Sequence, residues 1–132
     1  MKSQAPNSKY YDLEERTARF AEAVIELMKK MPENSINKRM IEQIVASADS
    51  IGANYCEANE VESKKDFQHK IGNCKKETKE TKHWIRLLAK ANPEFKKEFR
   101  DLWKEAQELL LIFSSIMKSS RKKSQIPKPN FQ

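Results

Sequence analysis

The chain has 132 residues, of which 38% are hydrophobic and 34% are charged, and its formal net charge is +7. This length is enough for one hydrophobic core without disulfide or metal crosslinks. No apolar run approaches the roughly 18 residues of a membrane span, and the polar first residues lack the apolar segment of an export signal, so we expect a cytoplasmic protein that does not enter a membrane. Only two glycines and five prolines accompany many helix-forming residues, which predicts an all-α fold.

Four amphipathic helices account for most of the sequence. Within each, apolar side chains recur at alternating steps of three and four residues and therefore fall on one face of the helix. The links between the helices are short, which predicts an up-down-up-down antiparallel four-helix bundle. The predicted helices comprise residues 12–31, 36–62, 64–91 and 93–119. The predicted domains are a flexible N-terminal arm at residues 1–11, the bundle at residues 12–120, and a basic disordered tail at residues 121–132.

Capping residues mark where these helices begin. Asn34 or Ser35 can cap the second helix, and Ser63 can cap the third. Asn92 precedes a proline and a glutamate, so it can cap the fourth. Gly52 lies inside the second helix, where glycine is less favourable than alanine by about 1 kcal/mol. We therefore predict that another backbone approaches the second helix closely at this point.

Most of the excess positive charge lies in two segments. Residues 64–90 carry a net charge of +6 and residues 118–132 a net charge of +5, whereas the remainder sums to −4. Four cations of the third helix, at spacings of four, three and four, form a stripe beside its apolar face. Such a stripe favours an anionic partner, nucleic acid, contacted through its backbone rather than its bases. The predicted phosphate-contacting residues are Lys75, Lys79, Lys82 and Arg86 of the stripe, with Arg121, Lys122 and Lys123 of the tail.

Two interpretations of the stripe remain open. One is an oligomeric nucleic-acid-binding protein. The other is a structural protein–protein interaction module whose lysines only keep the outer surface solvated. Aromatic residues between the cations, which single-strand-binding proteins use for stacking, are missing apart from Trp84. Salt dependence separates the two, because binding through several lysines weakens steeply with salt, whereas an apolar protein contact does not.

The sequence contains no pattern that predicts catalysis or a metal site. A di-iron site in a bundle needs Glu-x-x-His on two helices, but the only such pair is Glu80 with His83, away from the apolar face. A glycine-rich phosphate loop, zinc-ligand spacing and a Ser/His/Asp motif are also lacking. Cys56 and Cys74 stand apart without a partner motif, which favours two reduced thiols. We predict a non-enzymatic protein with no metal, no cofactor and no small-molecule substrate.

A run of five apolar residues, 109–113, covers the whole circumference of the fourth helix. Leu111 and Ile112 fall outside the apolar face, so we predict that they form an oligomer interface. The alternative is a pair of exposed aliphatic side chains, which is common on protein surfaces.

Four segments in combination resemble a known family: YDLEERT at residues 11–17, SIGANY at 50–55 with Glu57-Ala58, ESKKDF at 62–67 and KETKETKHW at 76–84. They resemble a bacterial four-helix-bundle family whose members include proteins encoded within intervening sequences of 23S ribosomal RNA genes. The family is similar to the accessory variability determinant of diversity-generating retroelements. The resemblance covers residues 10–120, while Cys56 and the pair Gly72-Asn73 depart from the family pattern.

The resemblance implies a homopentameric barrel with a basic surface and no enzymatic activity. In the retroelement branch it implies binding of RNA and of a reverse transcriptase, which puts RNA ahead of DNA as the partner. Which branch this chain represents stays open. The resemblance also makes Asn54 and Glu57 an inward-facing polar pair, which we interpret as structural hydrogen bonding within the bundle.

Overall fold

The computed structural model describes residues 12–125, with side chains up to residue 122. This part of the chain is all-helical, with four α-helices and no strand, which confirms the predicted all-α class. Residues 1–11 and 126–132, which belong to the predicted arm and tail, lie outside the described residues. The helices are α1 (Leu13–Met28), α2 (Ser35–Ala58), α3 (Lys64–Ala91) and α4 (Lys96–Gln125), and a 3-10 turn (Pro93–Phe95) precedes α4.

Three helix ends differ from the predicted ones. Helix α1 ends at Met28, whose backbone carbonyl would need the N–H that Pro32 lacks to continue the helical hydrogen bonds. Helix α2 ends at Ala58 rather than at residue 62. Helix α4 continues to Gln125, so residues 121–125 are helical and the prediction of a disordered tail from residue 121 was wrong at its start.

Two predicted caps are confirmed and one is wrong. The Asn34 side chain accepts from the N–H of Asn37 at 2.8 Å, and the Ser63 hydroxyl accepts from the N–H of Asp66 at 3.0 Å. Asn92 stands at the predicted boundary but makes no capping hydrogen bond with its side chain. It is buried instead, because it has a partner on another helix, described below.

The core lies where the three-four spacing placed it. Helix α3 contacts both α2 and α4, while α1 packs on α2 and contacts α4. Two threonines within the core satisfy their hydroxyls locally: Thr78 Oγ1 donates to Cys74 O at 2.7 Å, and Thr81 Oγ1 lies 2.8 Å from Glu77 O. On α3 the residues with at most 2% of their surface exposed are Ile71, Cys74, Thr78, Thr81, Ile85 and Leu88.

Gly52 allows α1 to approach α2. A Cβ atom at Gly52 would lie 3.0 Å from Thr17 Oγ1 and 3.9 Å from the carbonyl carbon of Thr17. The threonine hydroxyl is held by hydrogen bonds to Leu13 O and Glu14 O, at 2.9 and 3.1 Å. The predicted close approach is confirmed, although its nearest atom is a side-chain oxygen rather than backbone.

Of the expected inward polar pair, the structure confirms the role of Asn54 and contradicts the position of Glu57. Asn54 Nδ2 donates to Ser50 O at 2.9 Å, and its Oδ1 accepts from Asn73 Nδ2 at 3.2 Å, so it has the structural role that we predicted. Glu57 is exposed and pairs with Lys70 at 2.6 Å, so the prediction that it faces inward was wrong. Asn73, one of the departures from the family pattern, is the residue that pairs with Asn54.

Candidate nucleic-acid interface

The four cations of the α3 stripe lie on the surface of the bundle. Lys79 and Arg86 are exposed, and Lys75 and Lys82 are partly buried. Each follows a buried residue of α3 by one position and is therefore rotated by roughly 100° from the buried seam. From Lys75 to Arg86 the stripe rises about 16 Å along the helix. Its contact with phosphate stays a prediction.

Helix α4 completes this surface and turns the stripe into one wall of a groove. Two adjoining cavities, of about 230 and 360 Å³, share Arg86 and Trp103. We call the two together the Trp103 groove. Its polar lining contains five cations and one histidine and no carboxylate, and it consists of Lys79, Lys82, His83, Arg86, Lys96 and Arg100. The structure thus adds two cations from α4 to three of the predicted stripe residues, while Lys75 does not line the groove.

Trp103 stands at the centre of the groove with 38% of its surface exposed. The ammonium nitrogen of Lys82 lies 4.3 Å from the centroid of its ring, a cation–π contact, and also donates to Gln107 Oε1. Sequence reasoning did not predict Trp103 as part of this surface. A usable signal was present, because Lys96, Arg100 and Trp103 follow one another at spacings of four and three and so share a face.

The groove cations differ from the cations of the described chain that form ion pairs with carboxylates, such as Arg16. Arg16 donates from Nε and Nη2 to the two carboxylate oxygens of Glu105, at 2.7 and 2.9 Å, and this pairing raises the pKa of Arg16. Among the described residues, none of the five groove cations lies within 4.0 Å of a carboxylate oxygen. Their charge is therefore not neutralised by this chain's own described carboxylates.

Trp84, the aromatic residue that the sequence placed among the cations, has a different setting. It is partly buried and packs against the core, with the edge of His83 at 4.8 Å between ring centroids. Its Nε1 is buried and has no hydrogen-bond partner among the described residues. The aromatic surface available beside the cations is therefore that of Trp103.

The structure does not bring the C-terminal cations to the groove. Arg121 and Lys122 are exposed on the last turns of α4. Arg121 lies 18 residues beyond Trp103, which is about 27 Å along a helix. The Lys123 side chain lies outside the described part of the chain. These cations form a second basic region at the other end of α4.

The predicted oligomer residues separate into one exposed and one buried side chain. Leu111 is 55% exposed on α4, whereas Ile112 is only 4% exposed and belongs to the core of the single chain. The prediction that Ile112 points away from the core was wrong, because the neighbouring helices cover a wider sector of α4 than one seam. Leu111 stays the predicted interface residue.

No group of three or more His, Cys, Asp and Glu side chains that could hold a metal occurs in the described part of the chain. Cys56 and Cys74 are free thiols. Burial raises the pKa of Cys74 to about 12. The pKa of Cys56 is also raised, by partial burial and then by the charges of three neighbouring glutamates. Neither thiol is held as the reactive thiolate at neutral pH. That the protein is non-enzymatic and binds no cofactor stays a prediction.

Comparison with known proteins gives this bundle a family. Residues 10–115 match the profile of the 23S rRNA-intervening sequence protein family. The chain belongs to that family. This confirms the resemblance found in the sequence, and the match includes every residue that lines the Trp103 groove. The cations at residues 121–123 lie beyond it.

One solved structure extends this family relationship to the fold. It is the crystal structure of a protein of unknown function from the S23 ribosomal protein family of Bacteroides thetaiotaomicron VPI-5482. The two chains are 28% identical with a TM-score of 0.71, and the alignment covers 80% of this chain and 97% of that one. Among curated proteins, none matches this chain significantly. In residues 12–125, no helix is long and apolar enough to cross a membrane.

Proposed function

We propose that this member of the 23S rRNA-intervening sequence protein family is a non-enzymatic accessory protein that binds RNA through the Trp103 groove and the rest of the α3 stripe. The observation that carries the proposal is a groove lined by five cations and no carboxylate. Lysine and arginine side chains in such a setting bind phosphate oxygens and release the counterions condensed on the nucleic acid. The preference for RNA over DNA is based on the family resemblance.

The proposal includes self-association, with five copies as the resemblance implies. Leu111 supports it, because it is a large, exposed apolar side chain on the helix that also forms one wall of the groove. In a ring of identical subunits the groove would be repeated around the assembly. A ligand that contacts several grooves would then bind more tightly than a ligand limited to one groove.

We also propose that neighbouring helices are antiparallel, as in an up-down-up-down bundle. The groove would then run along the antiparallel pair α3 and α4. Gln68, near the start of α3, donates to Ser120, near the end of α4, at 2.9 Å. Asn37, near the start of α2, bonds to Asn92, just after the end of α3. Both contacts support antiparallel neighbours.

The proposed RNA binding is tested by removing groove charge and comparing it with the removal of equal charge elsewhere. One variant combines Lys79→Gln, Arg86→Gln and Arg100→Gln. A control variant combines Lys30→Gln, Lys38→Gln and Arg39→Gln, whose side chains are exposed just after α1 and in the first turns of α2 and do not line the groove. Affinity for an RNA hairpin and for a DNA of equal length is measured across a salt series.

For the wild-type chain we expect log affinity to fall linearly with log salt. Each lost phosphate contact should reduce the slope of log affinity against log salt by roughly 0.7 to 0.9. The slope of the groove variant, which loses three cations, should therefore be smaller by about two, whereas that of the control should stay near the wild-type value. Equal losses in both variants would mean that only net charge matters and would contradict a groove-based function. Deleting residues 121–132 tests the second basic region, which should add affinity without selectivity.

The second candidate function is a structural protein–protein interaction module with a solubilising basic face. The exposure of Leu111 and Trp103 on α4 favours it, because large apolar side chains at the surface often mark protein contacts. The resemblance to the retroelement proteins implies a reverse transcriptase as the protein partner. This candidate predicts partner binding that changes little with salt and no RNA affinity at physiological salt. In either case we propose a cytoplasmic location, consistent with two free thiols.

A further inference from the structure

The Trp103 groove combines two surfaces of different chemistry. The apolar part of its 360 Å³ cavity is formed mainly by Trp103 and Ala89, and the lining also includes the buried residues Ile85 and Phe99. The same cavity is also lined by Arg86 and Arg100. A ligand that satisfies both surfaces presents an apolar group next to negative charge, and the face of the indole favours a flat ring as that group.

A nucleotide in a single-stranded segment has this combination, because its base is planar and its backbone phosphates are anionic. The bases of a duplex are stacked on one another and present only their edges in the grooves. Proteins that bind single strands combine a cationic path for the backbone with an aromatic platform for the base, and stacking tolerates any base because each has a π-face.

We infer that the Trp103 groove binds a single-stranded segment of RNA, with one base stacked on Trp103 and its flanking phosphates on Arg86 and Arg100. The inference rests on the proposed function and makes it more specific. At this one position the protein contacts a base as well as the RNA backbone. Lys82 now occupies a place over the indole. Base–aromatic stacking is at least as strong as a cation–π contact at a partly exposed indole, and a phosphate offers the ammonium of Lys82 an anionic partner in place of Gln107. A base therefore displaces the ammonium, which then binds a phosphate.

The test uses the two tryptophans of the chain separately. In a Trp84→Phe variant the fluorescence comes from Trp103 alone, since the sequence contains two tryptophans. The ligands are a 12-nucleotide oligouridylate and a 12-base-pair RNA duplex. Both lengths are roughly those that single-strand-binding and double-strand-binding proteins cover. We expect the oligouridylate to quench Trp103 emission and the duplex to leave it unchanged.

Affinity measurements with Trp103→Leu and Trp103→Phe complete the test. Trp103→Leu should weaken oligouridylate binding by about tenfold or more, whereas Trp103→Phe, which keeps an aromatic face, should weaken it by only a few fold. Duplex affinity should change little in either variant. Circular dichroism and sedimentation should show that both variants retain the fold and the mass of the assembly.

Three results would overturn the inference. If the chain binds RNA with the expected salt dependence but Trp103→Leu retains full affinity and Trp103 is not quenched, the proposed function stands and base stacking is wrong. If Trp103→Leu changes the mass of the assembly while Trp103→Phe does not, Trp103 is an intersubunit contact. If neither RNA binds at low salt, the proposed function fails together with the inference.

Discussion

Asn37 and Asn92 donate a hydrogen bond to each other inside the bundle. Asn37 Nδ2 lies 3.0 Å from Asn92 Oδ1, and Asn92 Nδ2 lies 2.9 Å from Asn37 Oδ1. Both residues are at most 2% exposed. Each Nδ2 has a second acceptor, Pro32 O for Asn37 at 2.8 Å and Leu88 O for Asn92 at 2.9 Å. This asparagine pair therefore links the α1–α2 connection and the start of α2 to the end of α3 with every amide hydrogen used.

Replacing only one asparagine of the pair should lower the free energy of unfolding by more than the lost hydrogen bonds alone would suggest. Asn37→Leu or Asn92→Leu leaves the other amide buried without its partner, which should lower the free energy of unfolding by about 1–3 kcal/mol. The double variant should lose less than the sum of the two single variants. Urea denaturation of the four proteins of this double-mutant cycle measures the coupling, and additive losses would contradict it.

The two glycines of the chain should respond in opposite directions to alanine. At Gly72 a Cβ would lie 3.7 Å from the flexible end of Met117, an ordinary contact, so Gly72→Ala should stabilise the protein by about 0.5–1 kcal/mol. At Gly52 the added methyl meets Thr17 Oγ1 at 3.0 Å, and that β-branched side chain is held by two hydrogen bonds. Gly52→Ala should therefore lower the stability.

Chemical denaturation of both glycine variants provides the measurement. Adding Thr17→Ala to Gly52→Ala removes the crowded hydroxyl and should recover part of the lost stability, as measured against Thr17→Ala alone. If Gly52→Ala and Gly72→Ala stabilise the chain equally, α1 does not constrain this position.

Cys56 and Cys74 should differ in their rate of modification. Cys56 is exposed and Cys74 is buried, with its pKa raised to about 12. With the thiol reagent DTNB at pH 8, the folded chain should release one equivalent in a fast phase, slower than a free thiol because the pKa of Cys56 is itself raised. The second equivalent should require unfolding. Cys56→Ser should remove the fast phase, and two fast equivalents in the wild-type chain would contradict the buried position of Cys74.

The raised pKa of Cys74 should also make the protein less stable in alkali. The thiol of the unfolded chain titrates near its ordinary pKa of about 8.5, below the folded value of about 12. The unfolded state then binds fewer protons than the folded state, so stability falls as the pH rises from about 8.5 towards 12, by at most about 1.4 kcal/mol per pH unit for this group. The pKa of Tyr55, raised by burial, acts in the same direction. Stability curves of wild type and Cys74→Ala should converge as the pH rises, and parallel curves would contradict this contribution.

Leu111 and Ile112 allow the interface to be separated from the core. Leu111→Glu places a charge on the surface of the single chain, so it should leave the helical circular dichroism intact while dissociating an oligomer that uses this side. Ile112→Glu buries a carboxylate without a partner and should unfold the chain itself. Sedimentation equilibrium at micromolar concentration distinguishes the two. A Leu111→Glu variant with the same mass as a wild-type oligomer would exclude this residue from the interface.

The sequence by itself determined the helical class, the buried seams and two of the caps. These features depend on spacings of three and four residues and on groups within one turn, which the backbone geometry of a helix converts directly into position. The buried face of α3 and the hydrogen bond of Ser63 could be predicted for this reason.

Only the tertiary structure decided which side of each helix a neighbour covers. Asn92 has the local signature of a cap, but a buried amide 55 positions away offers its side chain a better set of partners. Ile112 and Leu111 differ by a single step of about 100° around α4, and the packing of the neighbouring helices buries one and exposes the other. The Trp103 groove arises because α4 lies beside α3, and no spacing within either helix records how two helix surfaces meet.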